Sequence, residues 1–138
     1  MPGDVLDKSF GQIGPLIDLI GIDQVKRMIE TESLEIVPMA YIRGRNFSDS
    51  VIIINEAQNL TKDHVKLLLA RVGENSKIIF DGDQKQTDSR LFKNKNGIEL
   101  LLKLSNSEKY SKIFSAIKLQ KTERSFAASA ADYLDELE

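Results

Sequence analysis

The residues of this chain best suited to chemistry stand in two polar clusters, each placed directly after a short apolar run. Asn55 and Glu56 close the run Val51-Ile52-Ile53-Ile54, and Asp81-Gly82-Asp83-Gln84-Lys85-Gln86 closes Lys77-Ile78-Ile79-Phe80. A carboxamide next to a carboxylate can hold a hydrated divalent cation and supply a base for a water proton. Asp81 and Asp83 suit shared acid–base work less well. Gly82 lets the chain turn between them, so nothing fixes both carboxylates on one face. His64 is the only histidine, and with no second ligand at helical spacing it is not expected to bind metal.

These side chains need elements to position them. Three isoleucines after a valine give the β-branched signature of a strand buried on both faces, the pattern of a parallel sheet rather than of an alternating one. Thr61 is a good N-cap, Asp63 lies in the first turn that follows it, and Val65, Leu68, Leu69 and Val72 share a face. A helix is therefore expected from Thr61 to the stop at Gly73. Residues 77–80 read as a second strand, so if the two strands are parallel neighbours both polar clusters reach the same sheet edge, where open α/β folds keep their ligand crevices.

The remaining chain follows the same alternation. A helix is expected from Ser9 to Ile20, interrupted or restarted at Gly14-Pro15, and Gly21 separates it from a second helix with Ile22, Val25, Met28 and Ile29 on one stripe. Residues 34–42 have β propensity but contain Pro38, which predicts an edge or broken strand. Residues 88–96 read as a polar loop, followed by a helix with Ile98, Leu101 and Leu102 turned inward. Residues 113–119 read as a third sheet strand. A final helix after Ser125 is expected to pack Phe126, Ala130, Leu134 and Leu137 into the core. Helices and strands in this order predict a layered α/β domain with a mostly parallel sheet.

Composition narrows the function classes. The 138 residues, 41% hydrophobic, suffice for a single domain, and a net charge of -2 gives no global field to draw the chain to nucleic acid or an anionic membrane. The absence of cysteine excludes disulfides and thiolate metal sites. No apolar run approaches the roughly 20 residues of a membrane span. The expectation is a soluble, cytoplasmic protein.

Taken together, the motifs resemble the PhoH-like family of P-loop ATPases, whose core is similar to that of superfamily 1 helicases. The resemblance runs through Pro2-Gly3-Asp4 with Lys8, Tyr41-Ile42-Arg43-Gly44-Arg45, Asn55-Glu56-Ala57-Gln58-Asn59, Arg71-Val72-Gly73, Gly82-Asp83 with Gln86, and Glu123-Arg124-Ser125. It implies a RecA-like P-loop NTPase fold over residues 1–138, with ATP and Mg2+ as cofactors. It also implies a role in RNA metabolism or the phosphate-starvation response, and RNA as a further partner.

The residues matching the family's motifs take their roles from it. The stretch ending at Asn55-Glu56 resembles the Walker B strand, so Asn55 and Glu56 would hold magnesium through water while Glu56 also orients the attacking water. Gln86 would sense the terminal phosphate, and Arg124 would neutralise its charge. Gln58, Arg43, Arg45 and Asp83 would join Asn55 in binding the nucleotide, the two arginines through phosphates of nucleotide or nucleic acid.

Two departures qualify the resemblance. The family has aspartate where this chain has Asn55, and nothing here has the spacing Gly, four residues, Gly, Lys, Ser/Thr of a phosphate loop. The phosphate-loop strand and helix are thus expected to be absent, and a Walker A-bearing segment or protein is the expected partner. In sheets of this type that strand lies between the strand at 77–80 and the one at 113–119. Its absence should leave those edges unpaired or pair them with each other, which favours a homo-oligomer. The rival reading is a catalytically inactive remnant serving as an interaction or structural protein, which Asn55 favours and the retention of Glu56, Gln86 and Arg124 opposes.

Overall fold

The computed structural model describes residues 13–86, 96–120 and 125–137. The turn at Pro2-Gly3-Asp4, Lys8, the start of the first expected helix, most of the loop at 88–96 and Arg124 lie outside these residues. The chain divides into two units, Met1–Leu101 and Leu102–Glu138.

The first unit is a mixed α/β structure. Helix α1 covers residues 13–20, with Pro15 in the first turn, where a missing N–H costs no helical bond. Gly21, at φ 88°, turns the chain into α2, Ile22–Glu30, a backbone angle that side-chain-bearing residues rarely adopt. Val25 on α2 is fully buried against Ile13, with Leu16, Ile17, Ile29, Leu34 and Ile36 packed around them. The next stretch forms no strand. Residues 39–41 make a single 3-10 turn after Pro38, because proline withholds the donor a ladder needs.

Strands β1, Val51–Ile54, and β2, Lys77–Phe80, pair in parallel with Val51 opposite Lys77 and Ile54 opposite Phe80. Between them runs α3, Lys62–Leu69. Its Val65 and Leu68 are buried with Ile42, Ala57 and Leu60, and Ile54, Ile78 and Phe80 pack against that cluster. The start of α4, Gly97–Ser105, adds Ile98 and Leu101 to the same cluster.

Three expectations are corrected. β1 is not buried on both faces: Ile52 and Ile54 are half-buried, whereas Val51 and Ile53 are 64% and 63% exposed and Ile79, opposite Ile53, is 50% exposed. The β-branched run reports propensity for the strand, but burial of the second face needs a layer that the described residues do not provide. Residues 113–119 contain no strand, and Ile117 is 88% exposed, since a strand exists only through hydrogen bonds to a neighbour. Finally, α5, Phe126–Leu137, forms as expected, yet Phe126 is 96% exposed and Leu134 and Leu137 are each 63% exposed. Amphipathic spacing selects a helix; core packing requires a facing element.

Candidate functional site

Parallel pairing places the two polar clusters side by side. Because Ile54 is opposite Phe80, Asn55-Glu56 and Asp81-Gly82-Asp83 leave the sheet at the same edge, as the sequence suggested. The backbone ladder continues one step past the strands: Asp81 N–H donates to the Ile54 carbonyl at 2.8 Å and Ala57 N–H to the Asp81 carbonyl at 2.9 Å. For this the chain twists at Glu56, which takes the left-handed conformation with φ 57° and ψ 40°. A side-chain-bearing residue there is strained by about 1–3 kcal/mol, and such strain gathers at functional sites. Directly afterwards Asn59 N–H bonds the Glu56 carbonyl at 2.9 Å and Leu60 N–H the Ala57 carbonyl at 3.2 Å, closing a tight turn.

Gln58 sits in the middle of this turn and is only 2% exposed. Its Nε2 donates to Glu56 Oε2 at 2.7 Å, and its Oε1 accepts from Asp83 N–H at 3.1 Å. The partners fix the amide's orientation, since a carboxylate can only accept and a backbone N–H can only donate. Asp83 in turn accepts the Lys85 N–H through Oδ1 at 2.9 Å, which shapes the turn Gln84–Gln86. Asn55 and Glu56 are themselves exposed. With the 3-10 turn at Gln86 they complete the part of the expected site that the structure brings together.

Glycine makes the close approach possible. A Cβ on Gly82 would lie 2.5 Å from Gln58 Oε1, 2.7 Å from Ile98 Cδ1 and 3.0 Å from the Ala57 nitrogen. Gly97 is similarly tight, its absent Cβ falling 2.7 Å from Leu60 Cβ, while its N–H bonds the Leu60 carbonyl at 2.8 Å. Asn96, 5% exposed, caps α4 by accepting from Glu99 N–H at 3.0 Å. Sequence reasoning placed a turn at Gly82 and a break before the helix at Asn96-Gly97, but missed the close packing that these positions allow. The only available signal was a glycine immediately following a strand and another opening a helix.

The arginines are arranged differently. Arg45 forms a bidentate pair with Glu35, Nη1 to Oε1 at 2.6 Å and Nη2 to Oε2 at 2.9 Å, and lies 4.7 Å over the Phe47 ring. Its guanidinium thus has protein partners, whereas Arg43 is exposed. The hydrogen bond from Arg45 holds the Glu35 carboxyl below its ordinary range. A lowered carboxyl stabilises the fold at neutral pH and loses that contribution as pH falls through the lowered value. Arg71 Nη1 reaches the Arg45 carbonyl at 3.4 Å, and among the described residues its buried Nε has no partner.

An open groove of about 1300 Å³ runs along this unit, with Asn55, Glu56, Gln58 and Asp83 in its lining beside apolar residues such as Leu16 and Val51. No group of three or more metal-ligating side chains occurs among the described residues. Asn55 and Glu56 nevertheless fit a magnesium ion that keeps most of its waters, which one or two oxygen side chains and a substrate phosphate suffice to hold.

Comparison with known proteins identifies the family. The family model described as PhoH-like protein matches residues 1–132. The chain belongs to the PhoH-like family. It is 40% identical over 92 residues to a PhoH-like protein of Bacillus subtilis (strain 168), covering 64% of this chain and 29% of that protein. To Protein PhoH2 of the same organism it is 43% identical over 104 residues, 74% of this chain and 23% of the relative. To Protein PhoH of Escherichia coli (strain K12) it is 37% identical over 94 residues, 64% and 27% respectively. The match thus spans less than a third of each relative's length. The mixed α/β structure with a parallel sheet is that of a partial RecA-like PhoH domain. Among the described residues no helix is long and apolar enough to cross a membrane.

Proposed function

We propose that this PhoH-like chain carries the Walker B and sensor half of an ATP site. The observation that carries the reading is the shared edge of the two parallel strands, where Glu56 is fixed by Gln58 beside the Gly82–Gln86 turn. In this reading Asn55 and Glu56 hold hydrated magnesium, which when bound neutralises phosphate charge. Glu56 orients a water and accepts its proton, its carboxylate kept in one direction by the Gln58 amide. Gln86 donates to the terminal phosphate, and Arg124 supplies a cation to the same group. Arg43 and Asp83 complete the nucleotide contacts; Arg45 contributes only after releasing Glu35. The phosphate-cradling loop comes from a Walker A-bearing segment, either another polypeptide or an upstream part of a longer one.

Calorimetric titration with magnesium and a non-hydrolysable ATP analogue tests the reading. Micromolar binding by the unmodified chain is the expected result, with Asn55→Asp binding more tightly because a charged oxygen is restored beside the cation. Glu56→Gln should bind more weakly, because it removes a charged oxygen beside the cation, and should support no hydrolysis once a loop-bearing segment is added. Absence of binding by all three folded proteins sinks the proposal.

A second reading, an interaction or structural protein, is favoured by the exposed apolar face of Val51, Ile53 and Ile79 and by Asn55. RNA as a further ligand through Arg43, Arg45 and the loop around Arg90 predicts retention on filters that falls as salt rises.

A further inference from the structure

Gln58 is a buried polar side chain whose two ends are committed to two different parts of the candidate site. One end meets the carboxylate after β1, the other the backbone after β2. We infer that Gln58 is a positioning residue that couples the Gly82–Gln86 turn to the direction of the Glu56 carboxylate. The inference rests on the reading of Glu56 as the residue that orients water, and it adds the means by which the second strand's turn can control it.

The chemistry of the position is narrow. The link needs a donor at one end and an acceptor at the other, separated by a single trigonal carbon and carried without net charge into a buried place. Glutamine meets all of these conditions. Glutamate would set a second carboxylate against Glu56, while leucine or methionine would leave Asp83 N–H and a Glu56 oxygen without this partner. The chain also makes room for the link, because Gly82 has no Cβ where Gln58 Oε1 lies. Among the described residues Gln58 is the one side-chain donor to the Glu56 carboxylate. An exposed carboxylate on a strained backbone is otherwise free to rotate about its side-chain torsions.

A displacement of the Gly82–Asp83 backbone therefore pulls on the Gln58 amide, and the amide turns the carboxylate. Contact of a phosphate with the Gln84–Gln86 turn, which Asp83 shapes through Lys85 N–H, would reach Glu56 by that route. Only hydrogen bonds are rearranged, and no proton or electron changes owner.

The test is made on the 15N-labelled, nucleotide-free full chain. Glu56→Ala removes the acceptor; Gln58→Met keeps the side-chain volume and removes both polar ends. In the parent background Glu56→Ala should move the Asp83 amide and Gln58 side-chain signals by more than a line width. The Asp83 amide should also exchange with solvent about tenfold faster, as expected for loss of one supporting hydrogen bond. In the Gln58→Met background the same Glu56→Ala change should leave the Asp83 amide where it was. An undiminished response there, or no response in the parent, overturns the coupling. Should Gln58→Met lose signal dispersion, the parent decides alone: Gln58 side-chain protons that exchange no faster in Glu56→Ala refute the link, and faster exchange supports it.

A nucleotide titration of the same samples separates this from failure of the ATP reading. With magnesium and the ATP analogue, sensor-turn signals and Glu56 should shift in both parent and Gln58→Met, Glu56 through its own contact with the ion, while the response of the Asp83 amide to Glu56→Ala stays confined to chains that keep Gln58. A chain that binds no analogue refutes the nucleotide reading while the nucleotide-free measurements still decide the link.

Discussion

Glu56 occupies a backbone conformation that its residue type disfavours, and its neighbours explain why it stays there. Left-handed geometry at this point lets Ala57 N–H reach the Asp81 carbonyl, while Gln58 takes the carboxylate. The arrangement depends on what Gly82 omits as much as on what Glu56 offers. Replacing Gly82 by alanine pushes a methyl group into Gln58 Oε1 and Ile98, both held by packing. Overpacking of this kind costs about 1–3 kcal/mol. Urea unfolding of Gly82→Ala should show that loss together with a displaced Asp83 amide; an unchanged midpoint would mean the turn relaxes without resistance.

At the scale of the element, α3 shows how local signals and packing combine. Thr61 accepts from His64 N–H at 3.2 Å, and the His64 ring nitrogen Nδ1 accepts from Thr61 N–H at 3.2 Å, a reciprocal cap. Val65 and Leu68 then bury the helix's inner face. The cap satisfies two backbone donors that the first turn leaves open. Thr61→Ala should lower stability by about 1 kcal/mol and Thr61→Ser should restore most of it, which thermal melts followed by far-ultraviolet circular dichroism would reveal. Threonine was readable as the cap from sequence. Histidine as its partner was not, because glutamate or glutamine usually fills that position.

For the whole molecule, the decisive feature is a sheet face without a covering layer among the described residues. Val51, Ile53 and Ile79 form an exposed apolar strip on two neighbouring strands. Apolar strand surfaces left open promote association. Sedimentation velocity should show this chain associating as its concentration rises, and Ile53→Lys should shift it toward the monomer. A compact monomer at every concentration, with a single cooperative melt, would count against the expectation. A loop-bearing segment that completes the proposed ATP site should suppress association as well.

The alternation of strand and helix, the Thr61 cap and the polar residues closing each strand were legible in the sequence because they depend on local propensity and spacing. So was the family, since ordered motifs persist in the chain wherever the fold brings them. Burial was not legible: the Val51–Ile54 run, residues 113–119 and the Phe126–Leu137 stripe all have the composition of core, but a side chain is buried only when another element faces it. Nor could spacing reveal that Gln58 joins Glu56 to Asp83, because that bridge exists only through the parallel register of β1 and β2. Sequence by itself determined which residues could serve the site. The tertiary structure decided which of them touch, because only pairing of the strands brings positions distant in the chain within hydrogen-bonding distance.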